Sequence, residues 1–98
     1  MSQATVQLEG EICRFSGELN LDSVPEALNK FETLMAQVGE SVLIDLQGVT
    51  RIDSGGVAFL VECLRLLQLQ NKSVKFSHLP EQMLEMAKLS GLQNLLKV

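Results

Sequence analysis

The segment Ser41-Val-Leu-Ile-Asp-Leu46 constrains this chain most. It is a nearly continuous apolar run, too short for a helix and β-rich at its start. Such a run reads as a buried central strand. A helical pattern lies on each side of it. Upstream, Val24, Ala27, Leu28, Phe31, Leu34, Met35 and Val38 share one face of a 3.6-residue period. Downstream, Val57, Phe59, Leu60, Cys63, Leu64 and Leu67 form a broad apolar side, with Val61 at its edge. Strands separated by helices require crossover connections, and these are right-handed, which gives a largely parallel sheet.

The remaining elements extend this pattern. Thr5 to Leu8 alternates, and Ile12 to Ser16 follows a Glu9-Gly10 pair, which predicts an antiparallel N-terminal hairpin. Ser23-Val-Pro-Glu26 matches a capping box with proline in the first turn, so Ser23 is the expected N-cap of the first helix and Gly39 its C-cap. Gly48 to Asp53 reads as a connector whose Val49 and Ile52 reach the core. The second helix opens at Ser54 and runs to about Gln70, and Asn71-Lys72 is a turn. Ser73 to Ser77 alternates as a strand with Val74 and Phe76 inward. Pro80 starts a third helix through Met83, Leu84, Met86 and Ala87, capped by Gly91. Leu92 to Val98 reads as a short terminal strand or turn. The expected fold is therefore α/β, ordered ββαβαβα, with three helices over a mixed, mostly parallel sheet. At 98 residues there is room for one domain, with a core from about Thr5 to Leu95.

Charge and composition narrow the function classes. Eight Lys and Arg stand against twelve Asp and Glu, and the formal charge of −4 disfavours nucleic acid and anionic lipid, both of which need clustered cations. Trp and Tyr are absent and Phe numbers four, so base-stacking platforms are not expected. Val57 to Leu69 contains Glu62 and Arg65 and is too short to span a bilayer. Met1 to Thr5 shows no secretory signal, which makes the cytoplasm the expected compartment. Cys13 and Cys63 form no CxxC pair and read as reduced core thiols.

One end of the second helix carries the functional signal. Projected at about 100° per residue, Ser54, Ala58, Glu62, Arg65 and Leu69 lie opposite the apolar side. Ser54 heads this stripe where backbone N–H groups are unsatisfied and the dipole end is positive. Followed by Gly55 and Gly56, it reads either as a plain N-cap before a tight turn or as the acceptor of a phosphate that those N–H groups would stabilise. Asp45 and Asp53 sit at a strand end or loop, where Asp commonly caps or turns. A carboxylate pair for Mg²⁺ would also need a lysine at the end of a later strand, and Lys75 lies mid-strand. His78, the single histidine, reads as a loop residue. A Ser54–His78–Asp53 triad would lack the G-x-S-x-G elbow, and GxGxxG and GxxxxGK[ST] are absent. The expectation is a chain without catalytic residues, metal, cofactor or small-molecule substrate.

Three segments carry a family resemblance: Ser16-Gly-Glu-Leu19, Val42-Leu-Ile-Asp-Leu46 and Ile52-Asp-Ser-Gly-Gly-Val-Ala-Phe-Leu60. They resemble the STAS family, the domain of anti-sigma-factor antagonists and of the cytoplasmic parts of sulfate transporters. The last looks like that family's D-[ST]-x-G segment, here with Asp53, Ser54, Gly55 and Gly56. The V-x-R-x-D spacing of Val49, Arg51 and Asp53, the double glycine and Ala87-Lys-Leu89 are most similar to the MlaB-like branch, the small subunits of bacterial lipid-asymmetry ABC transporters. That branch often has Thr at the position of Ser54, whereas sigma-pathway antagonists usually have Ser. The resemblance implies a non-enzymatic subunit at the inner membrane's cytoplasmic side. It would bind the transporter's ATPase through a contact that includes Ser54, and itself bind neither ATP nor lipid. The alternative it implies is an anti-sigma factor antagonist switched by phosphorylation of Ser54.

Overall fold

The computed structural model describes residues 4–89. The elements run β1 (Ala4–Glu9), β2 (Ile12–Leu19), α1 (Val24–Met35), β3 (Ser41–Ile52), α2 (Ser54–Leu69), β4 (Ser73–Ser77) and α3 (Glu81–Leu89). This is the expected α/β order with three helices. The strands lie in the order β1-β2-β3-β4, antiparallel at β1–β2 and parallel at both other junctions. Gly10, at φ +60°, supplies the left-handed backbone of the two-residue hairpin turn. The expected cap at Gly91 and the tail from Leu92 to Val98 lie outside the described residues, as do the side chains of Met86 and Ala87.

Helices α1 and α2 cover the same face of the sheet. The proof is an aromatic cluster: Phe15 of β2 lies 5.8 Å from Phe31 of α1 and 5.2 Å from Phe59 of α2, and Phe31 and Phe59 are 6.5 Å apart between ring centroids. Three rings from three elements meet only if both helices share one side. Two right-handed crossovers stepping the same way across the sheet produce this result. Around the rings pack Cys13, Leu19, Met35, Ile44, Leu60 and Leu67, each fully buried. The inner side of α2 is the apolar side read from its periodicity, down to Cys63 and Leu64. Val74 is half-buried and Phe76 buried, both against the core.

Four local expectations are corrected. The strand expected to stop at Leu46 continues to Ile52, so the segment from Gly48 is strand rather than connector. It pairs there with a β2 that itself runs on to Leu19, and a Cβ on residue 48 would lie 2.7 Å from Ser16 Cβ, so glycine lets the strands pass. The capping box does not form. Ser23 is at the N-cap in helical conformation, and its buried hydroxyl turns back into the loop to donate to the Glu18 carbonyl at 2.7 Å. Ser23 makes no side-chain cap bond to the helix, and Asn20 folds the loop before it, its Oδ1 accepting from the N–H groups of Asp22 and Ser23 at 2.9 and 3.0 Å. Helix α1 ends at Met35 with Ala36 as C-cap, not at Gly39. The Val38 and Gly39 carbonyls instead accept from Lys72 Nζ, each at 2.7 Å, which ties that loop to the α2–β4 turn. Helix α3 begins at Glu81, one residue after Pro80, whose carbonyl accepts from Met83 and Leu84.

Candidate functional site

The site is built where β3 hands over to α2. Asp53 is extended, at φ −121° and ψ −168°, and its Oδ1 accepts from the N–H groups of Gly55 at 2.8 Å and Gly56 at 3.3 Å. Asp53 is therefore the N-cap, satisfying two donors that the helix cannot pair internally. Ser54 is the first helical residue, not the cap. Its hydroxyl is exposed and makes no hydrogen bond among the described residues.

Both glycines are buried, and the reason is close approach. A Cβ on residue 56 would lie 2.4 Å from Ile52 Cγ1 and 2.7 Å from the Leu19 carbonyl oxygen. One on residue 55 would lie 2.9 Å from Leu21 Cδ2 and 3.0 Å from the Leu21 nitrogen. The first turn of α2 is thus pressed onto the ends of β2 and β3, and the Asp53 N–H donates to Leu19 O at 3.2 Å. Beside it opens a cleft of about 350 Å³ lined by Glu18, Leu19, Asn20, Arg51, Ile52, Asp53 and Gln82.

From Ser54 the stripe continues as read from the periodicity. Ala58, Arg65 and Leu69 are exposed and Glu62 is half-buried. Leu69 is 69% exposed. Arg65 donates to Glu62 through Nη2 at 2.7 Å and through Nε at 3.2 Å. That pairing holds the Glu62 carboxyl below its usual range and raises the Arg65 guanidinium. At the head of the stripe lies Leu21, 74% exposed, its backbone against Gly55. Sequence reasoning missed it. Its signal was a leucine standing alone in the polar loop Asn20-Leu-Asp-Ser23.

The other candidates are brought elsewhere. Asp45 lies on the sheet face away from α1 and α2, opposite Arg14 and Ser77 in the strand register. It accepts from the Gln47 N–H at 3.0 Å, contacts His78 Nδ1 at 3.0 Å and pairs with Arg14 Nε at 3.4 Å. Burial pushes its carboxyl up, but Gln47, His78 and Arg14 outweigh burial and hold it below 3.8. His78, at φ +58°, presents the same Nδ1 to Ser77 Oγ at 2.8 Å. A nitrogen that donates to a carboxylate cannot also accept from a hydroxyl, so Ser77, His78 and Asp45 form no proton relay. Asp53 and Ser54 take no part in this group. No cluster of three or more His, Cys, Asp or Glu among the described residues is arranged to hold a metal ion. Cys13 and Cys63 are free and buried. Burial pushes the Cys13 thiol up to about 12 and drives the Cys63 thiol higher than its usual value too. Lys75 sits mid-strand and exposed.

Comparison with known proteins decides the family. Residues 3–97 match the family model described as MlaB, STAS domain. The chain belongs to the STAS domain family. Among solved structures, this STAS domain is similar to the anti-sigma factor antagonist SpoIIAA in its unphosphorylated form, with a TM-score of 0.72 at 17% identity over 96% of this chain and 85% of that one. SpoIIAA of Bacillus in the phosphorylated form gives 0.69 at 18% identity, covering 96% and 88%. An anti-sigma factor antagonist from Mycobacterium paratuberculosis gives 0.72 at 18% identity, covering 98% and 83%. At these identities the likeness is one of fold. A search of curated proteins gives no match. No helix among the described residues is long and apolar enough to cross a membrane.

Proposed function

We propose that this STAS domain is a non-enzymatic binding module that docks, through the α2 stripe, on the ATPase of a phospholipid-transporting ABC complex at the cytoplasmic side of the inner membrane. The observation that carries the reading is the stripe itself. It begins at an exposed Ser54 that makes no hydrogen bond among the described residues, continues through the small Ala58 and ends at an exposed Leu69. Small residues allow a partner close approach, and an exposed leucine on the solvent side of an amphipathic helix suits a contact rather than water. The MlaB description of the family model directs the choice of partner. A net charge of −4 suits a partner with a basic patch, where charge complementarity speeds association. The non-enzymatic reading is supported by thiols held in the neutral form and by a histidine engaged with Asp45.

The test is co-purification with the ATPase. Ala58→Glu replaces an exposed helical alanine with another good helix former and leaves the fold intact. In the contact it buries an unpaired charge, so the complex is lost. Ser54→Asp weakens it for the same reason, and Ser54→Thr is tolerated. Full-yield recovery of the ATPase with a folded Ala58→Glu variant refutes the docking surface.

A second reading has its own observation. The Ser54 hydroxyl is exposed at the positive end of α2 and unbonded among the described residues, open to a kinase, and this fold is shared with an anti-sigma factor antagonist known in a phosphorylated form. In that reading the domain is an anti-sigma factor antagonist, and phosphate on Ser54 adds about two negative charges to the contact and releases the partner. Capture of an anti-sigma kinase that adds phosphate to Ser54, with loss of transfer in Ser54→Ala, selects it over the transporter reading.

A further inference from the structure

We propose that the outer edge of β1 joins two copies of this chain into a symmetric dimer with a continuous sheet. β1 bonds to β2 on one side, and among the described residues nothing pairs with the other. Exposed strand edges are ordinarily defended by lysine, proline, bulges or shortness. β1 has none of these. Its six residues, Ala-Thr-Val-Gln-Leu-Glu, pair with β2 in an unbroken register from Ala4↔Gly17 to Glu9↔Ile12. Its one charge, Glu9, lies at the end and is bonded to Arg14. The opposite edge, β4, has five residues with Lys75 at the centre.

The edge selects its own register. A two-residue turn is closed by a hydrogen-bonded pair, here Glu9 and Ile12, and bonded pairs alternate along an antiparallel ladder. Thr5 and Gln7 then bond to β2, and Ala4, Val6 and Leu8 turn their amide groups outward. A second β1 related by a two-fold axis at Val6 pairs all three: Val6 with Val6 of the other copy, and Ala4 with Leu8 both ways. Residues of equal parity stay on the same face, so half-buried Ala4 meets half-buried Leu8 under the helices and Thr5 meets Gln7 on the open side.

The groove beside the edge fits the same occupant. It is about 330 Å³ and is lined by Ala4 to Gln7 and by Glu26, Ala27 and Lys30 of α1. Glu26 and Lys30 are exposed and one helical turn apart. The two-fold axis that pairs β1 with itself sets α1 antiparallel to its copy, so Glu26 faces Lys30 and Lys30 faces Glu26. The patch is self-complementary in hydrogen bonds, apolar pairing and charge.

The experiment is sedimentation of the full chain from about 1 µM to about 1 mM, with amide hydrogen exchange at both ends of that range. The expected result is a concentration-dependent dimer in which the Ala4, Val6 and Leu8 amides gain about tenfold protection on association, while Thr5 and Gln7 are protected throughout. Lys30→Glu sets like charges against each other twice in the dimer and raises its Kd about tenfold. The double swap Glu26→Lys with Lys30→Glu restores association. A chain monomeric across the range overturns the proposal. So does a dimer that leaves those three amides exchanging as in the monomer, or one indifferent to Lys30→Glu.

Discussion

Replacing Gly56 with alanine tests whether the double glycine serves packing rather than turn flexibility. On helix propensity alone the change is favourable, since alanine exceeds glycine by about 0.5–1 kcal/mol within a helix. The structure opposes that gain. The added Cβ lies 2.4 and 2.9 Å from two carbons of Ile52 and 2.7 Å from the Leu19 carbonyl oxygen. Ile52 is 5% exposed and cannot swing out. Leu19 O is the end of a central strand and already accepts from Asp53 at 3.2 Å, so it cannot yield without loosening the cap residue. Overpacking of this kind costs about 1–3 kcal/mol. The net expectation is a loss of about 1–2 kcal/mol, which lowers Tm by roughly 5–15 °C in a domain of this size. Gly39→Ala is the control: its Cβ meets nothing within 4 Å, and the change is neutral or stabilising by up to about 1 kcal/mol through the unfolded chain. Urea and thermal melts of both variants supply the measurement. A Gly56→Ala protein as stable as the wild type, or matching Gly39→Ala, refutes close packing as the reason for glycine there.

Asp53→Ala removes the side chain that accepts from Gly55 and Gly56 and costs about 0.5–2 kcal/mol in a urea melt, whereas Ser54→Ala leaves stability unchanged. Equal losses would return the cap to Ser54. The Asp45 carboxyl is held below its ordinary 3.8, so its contribution is complete above that value and disappears as pH falls through the lower folded value. Asp45→Asn is therefore less stable than wild type at neutral pH, and the gap closes in melts taken progressively below about pH 4; a gap constant with pH counts against the network. Leu64→Ala, at a position 6% exposed on the inner side of α2, costs about 2–5 kcal/mol by transfer and cavity terms, and an unchanged melt would mean α2 is rotated from the described face.

Much of this protein is determined by short-range pattern. The 3.6-residue period of α2 alone separates Cys63 and Leu64, which are buried, from Ala58 and Leu69, which are exposed, because a helix surrounded by one core and one solvent must sort its sides that way. The two-residue spacing of the strands and the alternation of strand with helix likewise carry the element order and the parallel sheet. Tertiary structure decided what depends on partners distant in sequence. The extension of β3 to Ile52 exists because β2 lies alongside it, a pairing across some thirty residues that the polar stretch Gln47 to Arg51 does not advertise. Competition for donors assigned the caps. Ser54 has the right chemistry at the right place, but Asp53 reaches the free N–H groups of α2, and Ser23 holds the N-cap of α1 while its hydroxyl bonds instead to the Glu18 carbonyl. The need for Gly55 and Gly56 arises from Leu21, Leu19 and Ile52 converging on one helical turn, and the exposure of Leu21 beside Ser54 arises from the same loop. Period and propensity act over one or two turns of chain, whereas a hydrogen-bond donor or a steric clash is claimed by whichever group the fold brings nearest.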